Sequence, residues 1–164
     1  MSVTHVSKDL EALTMTFICE LGASIERVWQ LWADPRQLER WWGPPSYPAT
    51  VTEHEFVTGG RVSYHMTGPE GEHYPAWWRI LAVDAPRRLE FKDGFTGEDG
   101  RPDDSMPTSI TVVTLEPLGE GSTRMTMLST FPSTEAMRQT LEMGAEEGLI
   151  GALGQIDGLL DEAP

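Results

Sequence analysis

The sequence is short of cysteine, of basic residues and of long apolar runs, and each shortage excludes a class of protein. Cys19 is the single cysteine among 164 residues, so an internal disulfide is excluded. Lysine and arginine together number 12 against 26 acidic residues, which gives a formal net charge of −14. Such a chain repels phosphates and shows no basic stripe, so nucleic-acid binding is not expected. No stretch approaches the roughly 18 apolar residues of a membrane-spanning helix.

Motifs for targeting, catalysis and metal binding are also missing. Residues 1–14 lack a positive region followed by an apolar run, which argues against a signal peptide, and with the lone cysteine this predicts a cytoplasmic protein. There is no G-x-S-x-G elbow and no glycine-rich phosphate loop after a strand. His5, His54, His65 and His73 lie on different predicted elements without the spacing of metal ligands. No catalytic residue, metal or cofactor is therefore expected.

The order of predicted elements indicates an α+β fold. A single domain is expected over residues 1–164, with residues 1–11 as a loose lead-in. Strand formers bounded by turn residues predict strands at 13–21, 50–57, 61–67, 74–83, 88–93, 108–116 and 122–130. Ser24 and Asp34-Pro35 predict the starts of two short helices after the first strand. A curved antiparallel sheet of about six to seven strands follows, with segment 94–104 as a loop.

Residues 133–162 predict one long helix that is unusually rich in glycine. Its glycines are Gly144, Gly148, Gly151, Gly154 and Gly158. Each costs roughly 1 kcal/mol relative to alanine in an exposed helix, so they serve something other than helix stability. On a helical wheel they lie beside an apolar stripe that includes Met137 and Leu141. Two interpretations stay open, because the missing side chains could permit close packing or leave a cavity.

Several motifs, in order, resemble one protein family. Residues 23–29 read ASIERVW, residues 38–44 read LERWWGP, and residues 59–61, 68–71 and 80–89 read GGR, GPEG and ILAVDAPRRL. From about residue 14 to residue 160 the chain resembles bacterial activator-of-Hsp90-ATPase-like proteins of the START-like, Bet v 1-like (SRPBCC) superfamily. The resemblance implies a helix-grip fold, in which a curved antiparallel sheet wraps a long C-terminal helix. It also implies a hydrophobic cavity between sheet and helix, and so favours the cavity interpretation.

Candidate ligand-binding residues are those expected to face that cavity. Alternation along strand 61–67 places Val62, Tyr64 and Met66 on the inner face, and Trp78 is assigned inward in phase with Ile80. The full candidate set is Trp42, Tyr64, Met66, Trp78, Phe91, Met106, Met127, Phe131, Met137, Leu141, Gly144 and Gly148. A purely structural role is the alternative for each, such as a core tyrosine at position 64 or a plug at position 42. The carboxylates that can be placed are assigned to solvent faces, and Gln155 is the polar residue expected near the inner side of the helix.

The resulting functional hypothesis is the binding of a hydrophobic small molecule, lipid-like or aromatic, without assigned catalysis. One alternative is a chaperone-cofactor-like interaction module, which rests on the resemblance alone. Another is a cyclase or hydrolase that uses a polar residue inside the cavity, such as Tyr64. A homodimer is a further prediction, because one of the adjacent Trp77 and Trp78 must face away from the sheet interior. Leucine at Gly144 or Gly148 is expected to fill the cavity without unfolding the protein.

Overall fold

One antiparallel sheet of eight strands forms the body of the protein in a computed structural model, which describes residues 3–162. The strands are β1 (Val3–Asp9), β2 (Thr14–Leu21), β3 (Ala49–His54), β4 (Arg61–Thr67), β5 (His73–Asp84), β6 (Arg88–Phe95), β7 (Ser109–Gly119) and β8 (Ser122–Thr130). The helices are α1 (Ile25–Ala33), α2 (Pro35–Trp41), α3 (Thr134–Glu142), α4 (Ala145–Leu153) and α5 (Ile156–Leu160). The strand order is β1-β2-β8-β7-β6-β5-β4-β3, so α1 and α2 connect strands that lie far apart in the sheet. The predicted helix-grip fold is confirmed.

The two short helices begin as their capping residues predict. The backbone N–H of Arg27 donates to Ser24 Oγ at 3.2 Å, and that of Arg36 donates to Asp34 Oδ1 at 2.9 Å. The side chain of Trp41 is fully buried, and its indole N–H donates to the carbonyl oxygen of Leu31 at 2.9 Å. These helices therefore form a fixed, closed end to the sheet.

The prediction of a loose lead-in over residues 1–11 is wrong for residues 3–9, which form the edge strand β1. β1 pairs with β2 in antiparallel register, from Val3 opposite Cys19 to Asp9 opposite Thr14. The segment looks unstructured in sequence because an edge strand buries little, and here only Val3 and Val6 pack against the core. This strand raises the count to eight, above the six to seven expected. Residues 1 and 2 lie outside the described residues.

The predicted single helix over residues 133–162 is broken into three segments. Gly144 adopts a left-handed φ of +83°, which ends the α3 segment and starts α4. The second break is mild, because Gly154 and Gln155 keep right-handed helical angles. The left-handed residue changes the direction of the chain, so one helical wheel cannot describe both α3 and α4.

Alanine at position 144 is expected to lower the free energy of unfolding by about 1–2 kcal/mol, because a Cβ is strained at positive φ. Alanine at position 148 is expected to raise it by up to about 1 kcal/mol, because that glycine lies inside α4 at ordinary helical angles with open space around a Cβ. Urea titration of both variants measures the difference. Equal changes in the free energy of unfolding at positions 144 and 148 would contradict the left-handed backbone conformation of Gly144. Leucine at position 144 is accordingly a poor test of the cavity.

Helix α4 is tied to the rest of the fold near both of its ends. Gln155 Nε2 donates to the carbonyl oxygen of Gly43 at 2.7 Å, so Gln155 links this region to the turn after α2 and is not a cavity residue. At the start of α4, Lys8 Nζ lies 2.7 Å from Glu146 Oε1, which connects α4 to β1. Between these ties, α4 spans the inner face of the sheet.

Trp77, the outward member of the tryptophan pair, is half-buried on the outer face. Its ring covers Gly94, whose hypothetical Cβ would lie 2.6 Å from the Trp77 ring, and its N–H donates to the carbonyl oxygen of Phe95 at 3.0 Å. This tryptophan therefore already has an intramolecular role. The exposed large apolar residues of β7 and β8 are Ile110, Leu118 and Leu128. A homodimer stays a prediction.

Candidate functional site

A cavity of about 830 Å³ lies between the inner face of the sheet and the α3–α4 region. The inner face contributes side chains from β4 to β8, including Tyr64, Met66 and Met127. The helical side contributes Gly144, Gly148 and neighbouring residues of both helices. The cavity is thus the space between sheet and helix that a helix-grip fold encloses.

Two glycines of α4 play different roles beside this space. A Cβ at Gly148 would meet no atom within 4 Å, so the missing side chain leaves open volume. One turn later, a Cβ at Gly151 would touch Pro44 at 3.5 Å and Pro45 at 3.6 Å, which is ordinary close packing. Both interpretations of the glycine-rich helix are therefore correct, each at its own position.

An aromatic cluster closes one end of the cavity. Trp42 and Tyr64 border the open space with ring centroids 6.3 Å apart. Behind them, Trp78 and Phe91 stack at 4.1 Å with an interplanar angle of 18°, and both are fully buried. The first pair can touch a ligand, whereas the second pair holds the first in place.

Seven of the twelve predicted site residues line the cavity. They are Trp42, Tyr64, Met66, Met127, Phe131, Gly144 and Gly148. Their role in ligand binding stays a prediction.

The other five predicted site residues lie elsewhere. Trp78 faces inward with Ile80 as predicted, but Trp42 separates it from the cavity, and Phe91 packs on its ring. Met106 lies in the loop before β7, where the neighbouring Pro107 lines the cavity instead. Met137 and Leu141 line a second, smaller depression of about 460 Å³ beside the β1–β2 turn. A single helical wheel over α3 and α4 places these two residues on the cavity side, and the left-handed turn at Gly144 moves them away from it.

Sequence reasoning missed the carboxylate on the cavity wall, Asp93. Every second residue of β6 faces inward, which gives Leu89, Phe91, Asp93 and Phe95 on the inner face. The two-residue period of a strand therefore predicts an inward Asp93. Ser109 Oγ donates to Asp93 Oδ1 at 2.8 Å. Removal from bulk water raises the pKa of Asp93 to about 6, although hydrogen bonds from the hydroxyl and backbone of Ser109 lower it. The assignment of carboxylates to solvent covers only those that sequence reasoning placed, and Asp93 is not among them.

Tyr64 carries the other notable polar group of the cavity. Burial raises the pKa of its hydroxyl well above the usual range, and the negative charge of Asp93 raises it further. The indole N–H groups of Trp42 and Trp78 lie near enough to lower that pKa, yet neither has an acceptor at hydrogen-bonding geometry among the described residues. Tyr64 is therefore neutral around pH 7, with its own proton available for donation.

Hydroxyl groups from two strands complete the polar part of the cavity. Thr111 on β7 and Ser129 on β8 lie opposite each other, and their hydroxyl oxygens are 2.8 Å apart. Both side chains are buried and line the cavity. One hydroxyl of this pair donates to the other, so the O–H of the accepting hydroxyl remains able to donate a hydrogen bond to a polar ligand group.

The exposed lining residues mark the mouth of the cavity. Tyr47 and Tyr74 are both more than a third exposed, and their rings lie 5.9 Å apart. Met143 and Glu147 are the exposed lining residues on the helical side. Among the described residues that line the cavity, Asp93 and Glu147 are the charged ones, so the lining is acidic without a basic residue.

Neither a metal centre nor a membrane-spanning helix is found within residues 3–162. Histidine, cysteine and carboxylate side chains do not gather in groups of three or more that could hold an ion there. The helices of the same residues lack the length and hydrophobicity needed to cross a bilayer.

Solved structures of bacterial proteins share this fold. The solution structure of an Arthrobacter aurescens protein has 50% sequence identity and a TM-score of 0.94, and the match covers 99% of this chain and 94% of that chain. A crystal structure from Mycobacterium smegmatis has 49% identity and a TM-score of 0.89, with 99% of both chains covered. A Staphylococcus epidermidis protein has 28% identity and a TM-score of 0.82, covering 96% of this chain and 94% of that chain.

The comparisons with protein families agree with the predicted resemblance. A search of curated proteins finds no match. The profile described as activator of Hsp90 ATPase homolog 1-like protein matches residues 22–161, which is most of the chain. The chain therefore belongs to the activator of Hsp90 ATPase homolog 1-like family, within the Bet v 1-like superfamily that its motifs indicate.

Proposed function

We propose that this protein binds an apolar small molecule, lipid-like or aromatic, in the cavity between the sheet and α4. The cavity itself is the observation that carries the proposal. Its volume of about 830 Å³ lies within the range of roughly 300–1,000 Å³ that is common for ligand sites. Its lining combines aromatic rings with flexible methionines such as Met66 and Met127, and methionine adapts to irregular apolar shapes.

The two alternatives have less support. A chaperone-cofactor role depends on the family description, whereas the cavity is built from residues of this chain. One observation supports enzymatic action inside the cavity. Asp93 on the cavity wall has a raised pKa, and carboxylates with raised pKa values are common at catalytic sites. Binding explains that carboxylate and the apolar lining together, so binding is the preferred function.

Thermal melting with a library of aromatic and lipid-like compounds tests the proposal. A compound present at about 100 times its Kd stabilises the folded state by about 2.7 kcal/mol, which corresponds to a Tm increase of about 5–10 °C at this chain length. Native mass spectrometry should show one bound molecule per chain for the same compounds. A library that gives neither a Tm shift nor an adduct would count against the proposal.

A further inference from the structure

The carboxylate of Asp93 lacks a positive partner in the part of the chain that the structure describes. Its hydrogen bonds come from the hydroxyl and the backbone of Ser109 on the neighbouring strand, and both donors are neutral. Around it lie Tyr64, Phe95 and the apolar lining of the cavity. A carboxylate removed from water is costly unless a cation or several strong donors offset the loss of hydration. Asp93 is half-buried, and the side of its carboxylate that faces the cavity is open to a further partner.

The other described lining residues of the cavity add negative charge to that of Asp93 and no positive charge. Glu147 stands among the exposed lining residues at the mouth, and the described lining contains no lysine or arginine. The whole chain carries a formal net charge of −14. A negative field of this kind attracts cations toward a cleft and repels anions from it. Anionic lipids such as fatty acids would lose their head-group hydration here without meeting a basic side chain.

The aromatic rings near Asp93 also favour a positively charged group on the ligand. Trp42 and Tyr64 border the cavity, and the charge of Asp93 acts on the Tyr64 hydroxyl strongly enough to raise its pKa. A cation over the face of a tryptophan or tyrosine ring is stabilised by the quadrupole of the ring. The wall thus combines a carboxylate with rings that both favour a positive group.

We propose that the ligand is a cationic amphiphile, with an apolar or aromatic body in the cavity and a protonated amine paired with Asp93. This inference rests on the proposed ligand binding and narrows its chemistry to amines. Neutral analogues of the same shape bind less tightly, and carboxylates bind least.

A matched series of three probes tests the charge preference. The probes are naphthalen-1-ylmethylamine, naphthalen-1-ylmethanol and 1-naphthoate, which share an aromatic body and differ in the charge of one group. Isothermal titration calorimetry at pH 7.5 measures each Kd with the full chain. The amine is expected to bind about tenfold or more tightly than the alcohol, because a hydrogen bond between charged groups is worth about 1.5–3 kcal/mol in net terms.

Asp93→Asn is the central variant, and Asp104→Asn is its matched control. Both remove one negative charge from the chain, but Asp104 is exposed in the loop between β6 and β7. Asp93→Asn should bring the amine and the alcohol to within about twofold of each other. Asp104→Asn should keep the wild-type preference. Loss of preference in both variants would assign it to net charge and contradict the pairing.

The pH dependence provides a second readout. Amine affinity should be constant above about pH 7 and should fall below about pH 6, as Asp93 takes up a proton. Within residues 3–162, the other titratable groups that line the cavity are Tyr64 of β4, Tyr47 of the loop before β3, Tyr74 of β5 and Glu147 of α4. A profile that becomes flat in Asp93→Asn assigns the titration to Asp93. An unchanged profile in that variant would overturn the assignment.

The outcomes separate this inference from the proposed function. If the alcohol or the naphthoate binds as tightly as the amine, and leucine at position 148 weakens that binding, the cavity binds ligands but the amine preference is wrong. If the amine binds preferentially but leucine at position 148 leaves all three probes unaffected, the cavity is not the site. Absence of binding by all three probes up to millimolar concentration contradicts both.

Discussion

Leucine at position 148 is expected to weaken the binding of ligands that fill the cavity about thirtyfold while the protein folds as before. A Cβ there meets no atom within 4 Å, and the glycine lines the cavity, so an isobutyl group would enter the open space without displacing protein atoms first. A ligand then loses roughly 80 Å² of apolar contact, which at about 25 cal/mol per Å² costs about 2 kcal/mol. Titration calorimetry with a compound that raises the Tm of the wild type measures the loss.

Gly158→Leu is the matched control for this experiment. Gly158 lies in α5, is exposed, has ordinary helical angles and would also place a Cβ in open space. Both substitutions replace a helical glycine by leucine and gain up to about 1 kcal/mol of helix propensity. Their Tm values should therefore be equal to or above that of the wild type, while only Gly148→Leu should lose affinity. A folded Gly148→Leu protein that binds as tightly as the control would show that the ligand sits elsewhere.

The inner face of the sheet could be predicted from the sequence because strands repeat every two residues. Tyr64 and Met66 were placed correctly by alternation within one regular strand. The same rule applied to Leu89 and Phe91 would have put Asp93 on the inner face. Residue type points the other way, because carboxylates usually face solvent. A half-buried carboxylate on an apolar wall departs from the usual link between charge and solvent, and such departures concentrate at functional sites.

The helical side was less predictable, because the direction of a chain depends on backbone angles that a wheel does not contain. A glycine inside a helical pattern is compatible with right-handed and left-handed φ alike, and the sequence does not say which one Gly144 adopts. The observed +83° separates Met137 and Leu141 from the cavity-facing positions of α4. Met106 was misplaced for a similar reason, since loop residues follow no period.

Asn at position 93 is expected to raise the free energy of unfolding by about 1–3 kcal/mol at pH 8, and the gain should disappear near pH 4. Burial raises the pKa of Asp93 from the ordinary value of 3.8 to about 6. Between those pH values the folded state holds a proton that the unfolded state has released, so the contribution of Asp93 to stability decreases as pH rises through this window. Above about pH 7 the folded protein carries the full cost of a charged group on an apolar wall. A shift of about two pKa units sets an upper limit of about 3 kcal/mol on that cost.

Urea unfolding of the wild type, Asp93→Asn and Asp104→Asn from pH 4 to pH 8 measures this effect. An asparagine oxygen can still accept the hydrogen bond from Ser109, so the variant removes the charge and keeps the local packing. Asp104→Asn changes the net charge by the same amount as Asp93→Asn. It should nevertheless follow the wild-type stability curve, because Asp104 is exposed and lies outside the cavity wall. A stability difference independent of pH, or a less stable Asp93→Asn at pH 8, would mean that the carboxylate is not held at a cost. Where that cost is found, a bound ammonium ion would relieve it, so a cationic probe should stabilise the wild type more at pH 8 than at pH 5.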